Sequence, residues 1–334
     1  MEGHYHEISC IGLRTAVGHC HCYQRASARP ERIAHSFVSS AGLDTNACTI
    51  TAPCASFATA YTKIAANGII AALDPGKYGP IAITGPVTIN GNGWAAITAP
   101  ANGNGITVNI PGGTGNVHLT GLEIDGAGTA YNGIVFYSGS SLTVIDCVLK
   151  DFITSGGNGA YGNGIFVQPN SSTTAVLIKN TTVLSSGNAG IYLTPSGSAA
   201  VYATLDQVTT DFNNYGMFFD ASGTNQFLTA TVTNSQATYN TTRGITVSGL
   251  NQAGAGANVT LVGVTSVLND AAANGGNPGY DLWANGGGAG VSLVHNNTVG
   301  YLGNNGGQVA TDGTTIVLYG VVTGSITSNY FRGQ

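Results

Sequence analysis

The chain has 334 residues, with 50 glycines, a hydrophobic fraction of 43%, only 7% charged residues and a formal net charge of −5. Its hydrophobic content excludes a disordered polar chain, and a surface of Asn, Thr, Ser and Gly argues against helical bundles and favours a turn-rich β fold. Between Tyr78 and Tyr330 the only cations are Lys150, Lys179 and Arg243, which are too few for nucleic acid to be a partner. No apolar run reaches the roughly 18 residues of a membrane span.

The first 35 residues differ in composition from the rest. They hold four of the ten cations, three of the six cysteines and five of the seven histidines: His4, His6, His19, His21 and His35. They lack the uninterrupted apolar stretch of a secretory signal, so a non-native leader, a misread start and a disordered tail all stay open. Adjacent residues of the His/Cys cluster at 19–22 point apart, whereas structural zinc sites use separated pairs of ligands, so we predict no metal there.

Residues 36–77 are expected to form an N-terminal cap. Apolar residues recur at helical spacing and Gly68 follows as a stop, which predicts a helix over 55–67. The residues of its apolar face are Phe57, Ala60, Tyr61 and Ile64. Such a helix would close the open end of a solenoid, where strand edges and core side chains otherwise meet water.

The cysteines near this helix bear on the compartment. Cys48 and Cys54 enclose a short loop, which favours a disulfide between them and an oxidising environment. We therefore expect a secreted, periplasmic or cell-surface protein. Cys147 lies in a predicted strand beside Val148 and is expected to be a small buried residue.

From residue 78 to 334 the sequence repeats. Glycine-led pentapeptides align without gaps and begin 26 to 31 residues apart: Gly105-Ile-Thr-Val-Asn, Gly133-Ile-Val-Phe-Tyr, Gly164-Ile-Phe-Val-Gln, Gly190-Ile-Tyr-Leu-Thr, Gly216-Met-Phe-Phe-Asp and Gly244-Ile-Thr-Val-Ser. Each follows a short polar stretch and reads as a turn feeding a strand. A fixed period of this length indicates a solenoid.

A second strand follows in every unit, with a small polar or glycine residue at its turn. The turn column is Gly121, Asp146, Asn180, Asp206, Asn234, Gly263 and Asn296. These residue types tolerate left-handed backbone angles and can hydrogen-bond along the axis, so we assign Asp146 and Asp206 to the architecture. The units are too long for one strand pair and lack a crossover helix, which parallel coiling of the strands explains.

With these repeats the sequence resembles the right-handed parallel β-helix superfamily that includes pectate lyases, polygalacturonases and phage tailspikes. Phe37–Cys48, Thr51–Cys54 and Phe57–Ala60 are similar to the N-terminal region of bacterial secreted β-helix proteins of unassigned function. The resemblance covers roughly residues 36 to 334. It implies an all-β, right-handed parallel β-helix with an N-terminal capping helix, and it implies no particular activity.

Two outward columns follow from alternation along the first strand of each coil. They are Thr107, Val135, Phe166, Tyr192, Phe218 and Thr246, and beside them Asn109, Tyr137, Gln168, Thr194, Asp220 and Ser248. Aromatic rings flanked by amides and hydroxyls suit sugars, because the rings contact the apolar sugar face and the polar groups bond its hydroxyls. We predict a ligand-binding aromatic ladder of Tyr137, Phe166, Gln168, Tyr192, Thr194, Phe218 and Asp220. A covering loop, a partner subunit and plain aromatic stacking are the alternatives.

Catalysis has little support in the sequence. Glycoside hydrolysis needs two carboxylates across the bond, and Asp220 stands alone on the ladder. The catalytic candidates are Asp220 and Arg243, since Arg243 precedes the strand next to that of Asp220. Asp151 and Asp211 form a second candidate pair if they share a turn. Lyases and hydrolases of the resembled superfamily carry denser charged clusters, so the sequence leans away from an enzyme.

Three functions stay open, in this order. The first is non-catalytic binding of a polysaccharide or cell-surface glycan, and the second is a polysaccharide lyase or glycoside hydrolase. The third is a structural module that forms a homo-oligomer through the apolar segment Thr315–Thr323. The glycine-rich runs lack a following helix and lysine, so no phosphate loop and no cofactor is predicted.

Overall fold

The computed structural model is a right-handed parallel β-helix of about eight turns. It describes residues 32–153, 159–249, 256–269, 281–285, 291–296, 301–305, 308–312, 317–318 and 326–328, with side chains as far as Ala284. The His/Cys cluster at 19–22 and most of Thr315–Thr323 lie outside the described residues. No helix within the described part is long and apolar enough to cross a membrane.

The glycine-led pentapeptides lie in a first sheet of ten parallel strands. Its strands are Ile81–Ile83, Asn104–Asn109, Asn132–Ser138, Asn163–Val167, Ala189–Leu193, Tyr215–Asp220, Arg243–Ser248, Leu282–Asn285, Tyr301–Asn305 and Val317–Leu318. Adjacent strands come from consecutive coils, as the repeat predicted. Equivalent residues are therefore neighbours across the whole sheet.

The remaining strands form a second sheet of sixteen parallel strands. They are Ile33–Val38, Ile64–Ala72, Gly76–Lys77, Val87–Thr98, Asn116–Asp125, Ser141–Ile145, Val148–Phe152, Thr173–Ser186, Ala200–Asp211, Phe227–Thr233, Gln236–Thr238, Gly256–Val262, Thr265–Val267, Val291–Asn296, Gln308–Asp312 and Ile326–Ser328. The sheet bends once in each coil and so forms two faces of the rod.

Residues in the left-handed region make this bend. They are Gly121, Asp146, Asn180, Gln207, Asn234 and Gly263, with φ between 45° and 63°. The predicted turn column was wrong at one position, because Asp206 pairs with Lys179 and Thr233, which leaves Gln207 level with Asn180. The Asp206 carboxylate instead accepts hydrogen bonds from Thr233 Oγ1 at 2.7 Å and Asn234 Nδ2 at 3.0 Å.

The interior of the rod is a stack of aliphatic side chains. The residue after each repeat glycine points inward and is fully buried: Ile106, Ile134, Ile165, Ile191, Met217 and Ile245. Leu282, which follows Asp281, continues this column in the next coil. Burial of one such side chain contributes about 1.5–3 kcal/mol, so the column is a main source of stability.

The glycines themselves are required by the close approach of consecutive coils. A Cβ placed on Gly133 would lie 2.6 Å from the Gly164 carbonyl oxygen, and one on Gly164 would lie 2.7 Å from that of Gly190. Real Cβ atoms do not approach oxygen this closely. The repeat glycine is therefore set by packing between coils and carries no information about chemistry.

A buried amide ladder connects the turns that lead into the first sheet. The side chain and backbone N of Asn213 donate to Asn240 Oδ1, at 3.2 and 3.0 Å. Asn240 bonds Asn269 in the same way, at 2.9 and 3.0 Å, and Asn269 bonds Asp281 at 2.6 and 3.1 Å. The sequence analysis did not identify this ladder.

The predicted N-terminal helix is shorter than expected. It spans Phe57–Lys63, and the Ser56 hydroxyl caps it by accepting from Thr59 N at 3.2 Å. Phe57 and Ala60 are buried in the end of the core. The prediction of 55–67 was wrong at both ends, because Ile64–Ala72 is a strand that pairs with Ile33–Val38 and Val87–Thr98.

The second sheet thus starts at Ile33, inside the segment that we expected to precede the cap, and continues through residues 36–77. A disulfide joins Cys48 and Cys54, as predicted. Cys147 is buried, also as predicted, and burial raises the pKa of its thiol to about 11.

The amide ladder gives a test of the fold. Replacing Asn240 with Ala removes four hydrogen bonds of its side chain and leaves buried groups of Asn213, Thr210 and Asn269 with fewer partners. We expect the free energy of unfolding to fall by about 2–3 kcal/mol, measured by chemical denaturation. Asn225 is exposed, so Asn225→Ala serves as the control, and an equal loss in both variants would contradict the proposed role of the ladder.

Candidate functional site

The first outward column runs as the sequence predicted. Backbone pairing places Thr107, Val135, Phe166, Tyr192, Phe218, Thr246 and Trp283 at one level of consecutive strands. Trp283 extends the predicted column by one coil. The sequence analysis missed it because Leu282–Asn285 lies outside the glycine-led pentapeptides.

Neither outward column is open along its whole length. The Phe166 side chain is only 1% exposed and Thr194 is 7% exposed, which corrects the prediction that both face a ligand freely. The Phe166 ring lies 6.5 Å from Tyr137 and 5.6 Å from Tyr192, measured between centroids. Phe166 therefore packs as an outward-facing but covered residue.

Tyr192 and Phe218 stack on one another. Their ring centroids are 4.8 Å apart and their planes differ by 17°. Each ring thus occupies one face of the other, and both side chains are partly exposed. A ligand on this part of the sheet would meet ring edges more than ring faces.

A polar contact joins this stack to the second column. The Tyr192 hydroxyl donates to Asp220 Oδ2 at 3.2 Å, and Asp220 Oδ1 accepts from Ser222 N at 2.9 Å. Burial raises the pKa of the Tyr192 phenol, and the negative charge of Asp220 raises it further. The phenol is therefore a hydrogen-bond donor at neutral pH, and Asp220 is held in place by two bonds.

The second column is interrupted by a β-bulge at Tyr137. Val108 pairs with Phe136 and Asn109 pairs with Ser138, so Tyr137 has no partner in Asn104–Asn109. The predicted alignment of Asn109 with Tyr137 was wrong for this reason. A bulge re-aims the extra side chain, and Tyr137 is 38% exposed.

Tyr137 lines a depression of about 530 Å³ beside the ladder. Pro111–Gly113, a short 3-10 helix, lines the same depression. Its polar and aromatic lining is Asn109, Tyr137, Ser138, Gln168, Asn170 and Ser171. Of the predicted ligand-binding residues, Tyr137 and Gln168 are here.

The amides of this depression have spare hydrogen-bonding capacity. Ser138 Oγ lies 2.6 Å from the Ile110 carbonyl oxygen and 3.0 Å from Asn109 Oδ1, and its single hydroxyl hydrogen serves one of these two acceptors. Within the described part of the chain, the side-chain amides of Gln168 and Asn170 have no hydrogen-bond partner. The depression therefore offers a ligand both hydrogen-bond donors and hydrogen-bond acceptors.

Further aromatic residues that the sequence analysis did not select lie just before the first-sheet strands. Tyr161 stacks on Tyr131 with centroids 4.3 Å apart. Alternation cannot find such residues, because they lie in turns before the strands. Only the fold brings them to the edge of the ladder.

Asp220 and Arg243, the two catalytic candidates, lie at different levels of adjacent strands. Arg243 pairs with Tyr215 and Asp220 pairs with Ser248, at opposite ends of the same two strands. Five residues of strand separate these levels by about 16 Å. The Arg243 guanidinium lies 4.3 Å from the centre of the Trp283 ring, a cation–π contact.

The other two carboxylate candidates, Asp151 and Asp211, lie at different levels of the second sheet. Asp211 accepts from Thr238 N and Oγ1, both at 2.8 Å, and is level with Leu184. Asp151 precedes Phe152, which is level with Ser186. Asp151 and Asp211 therefore do not occupy one turn position, which corrects the second candidate pair. In the described residues no three His, Cys, Asp or Glu side chains come together as a metal site.

The comparisons with known proteins bear on the fold. The sequence matches no protein-family model, and no curated protein matches it significantly. Pectate lyase Pel9A is similar in structure, with a TM-score of 0.57 and 15% identity over 90% of this chain and 79% of that chain. At this identity the similarity shows the fold alone, and the fold is the pectate-lyase-like β-helix that the repeats indicated.

Two further solved structures are similar at lower TM-scores. A rhamnogalacturonan lyase has a TM-score of 0.34 and 11% identity over 88% of this chain and 87% of that chain. The A-module of the Azotobacter vinelandii mannuronan C-5 epimerase AlgE4 has a TM-score of 0.34 and 10% identity over 78% of this chain and 87% of that chain. Neither value supports an argument about this protein.

Burial separates the roles of two aromatic residues. We expect Phe166→Ala to lower the free energy of unfolding by about 3–5 kcal/mol, because it removes a buried ring and leaves a cavity. Tyr137→Ala should cost much less, since its ring is substantially exposed. Denaturation of the two variants measures the difference, and equal costs would contradict the assigned burial.

The hydrogen bond from Tyr192 to Asp220 can be tested through the pKa of the Tyr192 phenol. Asp220→Asn removes the negative charge that raises the pKa of Tyr192, so that pKa should fall in the variant. Ultraviolet titration of tyrosinate measures it, with Tyr192→Phe identifying the signal of this residue. An unchanged Tyr192 titration in Asp220→Asn would contradict the contact.

Proposed function

We propose that this protein binds a polysaccharide along the outer face of its first sheet and does not cleave it. The observation that carries the proposal is the depression beside Tyr137. An exposed tyrosine ring there adjoins amides that lack hydrogen-bond partners within the described residues. The ligand would lie across the strands, along the rod axis.

The chemistry of the lining suits a sugar. A pyranose has an apolar face and hydroxyl groups that both donate and accept hydrogen bonds. Tyr137 supplies apolar ring surface, and the Asn109, Gln168 and Asn170 side chains supply NH₂ donors and carbonyl acceptors. A few placed polar groups around aromatic surface are typical of small-ligand sites.

The partly exposed end of the ladder extends this site. Gln168, Thr194 and Asp220 follow Tyr137 in consecutive coils, so the column from Tyr137 to Asp220 spans three strand spacings, about 14 Å. The edges of Tyr192 and Phe218 and the Asp220 carboxylate are available there. A ligand long enough to reach from the depression to Asp220 would be a polymer rather than a monosaccharide.

The fold is compatible with this function and does not establish it, because one fold hosts many activities. Pel9A, which shares the fold, is a pectate lyase, and this similarity supports a carbohydrate partner for the present chain. The Cys48–Cys54 disulfide supports a secreted, periplasmic or cell-surface location, because disulfides persist in oxidising compartments.

The non-catalytic part of the proposal rests on the position of charged groups. Hydrolysis uses two carboxylates roughly 5–10 Å apart, and the neighbours of Asp220 in its column are Thr194 and Ser248. Arg243 is about 16 Å away along the strands. A polysaccharide lyase or glycoside hydrolase is the alternative function.

Substitution of the depression tests binding. The double variant Tyr137→Ala, Gln168→Ala removes ring surface and an amide, and we expect at least about tenfold weaker binding, equivalent to about 1.4 kcal/mol. Affinity electrophoresis in gels that contain polysaccharides measures it. Tyr202→Ala is the matched control, because Tyr202 is an exposed tyrosine on the second sheet.

Equal binding by the double variant and the wild-type protein would overturn the proposed site. Catalysis is tested separately, by assay of reducing ends and unsaturated products from the polymer that binds. Product release that Asp220→Asn abolishes would replace the binding proposal with the enzymatic alternative.

A further inference from the structure

We infer that the polymer bound on the first sheet is an uncharged polysaccharide, and that polyuronates bind more weakly. This inference rests on the proposed function and names the class of its ligand. It follows from where the chain places its few charges.

The lining of the depression is uncharged. Its polar groups are the amides of Asn109, Gln168 and Asn170 and the hydroxyls of Tyr137 and Ser138. Amides and hydroxyls match sugar hydroxyls as donors and acceptors. A carboxylate, in contrast, is recognised most strongly by the two parallel N–H donors of Arg or by Lys.

The two lysines between Tyr78 and Tyr330 form ion pairs away from the first sheet. Lys150 pairs with Glu123 at 2.7 Å and Lys179 pairs with Asp206 at 3.2 Å. Both lysines belong to strands of the second sheet, Val148–Phe152 and Thr173–Ser186. Neither compensates the charge of a uronate on the first sheet.

The charge nearest to the ladder has the wrong sign for a polyuronate. Asp220 lies in the second column, and the Tyr192 hydroxyl and Ser222 N hold its carboxylate on the sheet. A sugar carboxylate in the neighbouring position would be repelled, whereas a sugar hydroxyl could donate to Asp220. The electrostatics of the column therefore favour hydroxyl-bearing residues.

Arg243 is the one cation of a first-sheet strand between Tyr78 and Tyr330. Its guanidinium lies over the Trp283 ring, at the end of the strand remote from Asp220 and from the depression. The variant Arg243→Gln therefore tests the opposite hypothesis, in which a carboxylate of the polymer binds at this end of the strands.

The experiment compares uncharged and anionic polymers on the wild-type protein. Soluble β-glucan, xylan, mannan, galactan and starch form the uncharged set, and polygalacturonate and alginate form the anionic set, each with calcium ions and with EDTA. Carboxyl-reduced polygalacturonate is the matched probe, since it keeps the backbone linkage and loses the charge. Every polymer is also tested on Tyr137→Ala, Gln168→Ala and on Arg243→Gln.

We expect at least one uncharged polymer to bind about tenfold or more tightly than either polyuronate, and to lose that binding in the Tyr137/Gln168 variant. This binding should persist in about 1 M salt, where the Debye length is about 3 Å and attraction between exposed charges is screened.

Two different results would contradict the inferred ligand class, and only the second would also contradict carbohydrate binding at the first sheet. Polyuronate binding equal to or tighter than that of every uncharged polymer, dependent on Tyr137 and Gln168 or on Arg243, would overturn the inference and leave carbohydrate binding in place. If neither the Tyr137/Gln168 variant nor the Arg243 variant weakens the binding of any tested polymer, the proposed function is overturned as well.

Discussion

The close stacking of consecutive coils is the constraint on which the rest of the structure depends. At the start of the repeat strands the backbone directs the Cβ position toward a carbonyl oxygen of the next coil, so no Cβ fits there. Glycine at Gly133, Gly164 and their equivalents meets this constraint. Once the coils are in register, the following aliphatic residues stack inside and the buried amides of Asn213, Asn240 and Asn269 bond one another along the axis.

The same stacking limits what the outer face can do. Equivalent aromatic residues in adjacent coils pack on each other, so Tyr192 and Phe218 each cover a ring face of the other, and Phe166 is buried between its neighbours. A regular ladder thus stabilises the sheet at the expense of the ring surface that a ligand needs. The bulge at Tyr137 interrupts the regularity, and there an aromatic ring adjoins a depression with available amides.

The distribution of charge separates the faces of the rod. Lys150 and Lys179 form ion pairs on the second sheet, where Glu123 and Asp206 lie at suitable levels of adjacent coils. The first sheet retains Asp220 near the ladder and Arg243 at the other end of the strands, against Trp283. The depression beside Tyr137, which has available amide groups, is lined by uncharged residues, and this is the basis for the ligand class that we infer.

The sequence by itself determined the architecture, because a repeat of glycine and alternating residues admits one parallel stacking, and local patterns predicted the Cys48–Cys54 disulfide and the first outward column. It misplaced the helix end and the turn residue at Gln207, since hydrogen bonding of Ile64–Ala72 and strand register override local propensity. Only the tertiary structure decided which outward residues are open. Burial of Phe166, the bulge at Tyr137 and the separation of Asp220 from Arg243 depend on neighbouring coils and turns, and no pattern within a single coil records those contacts.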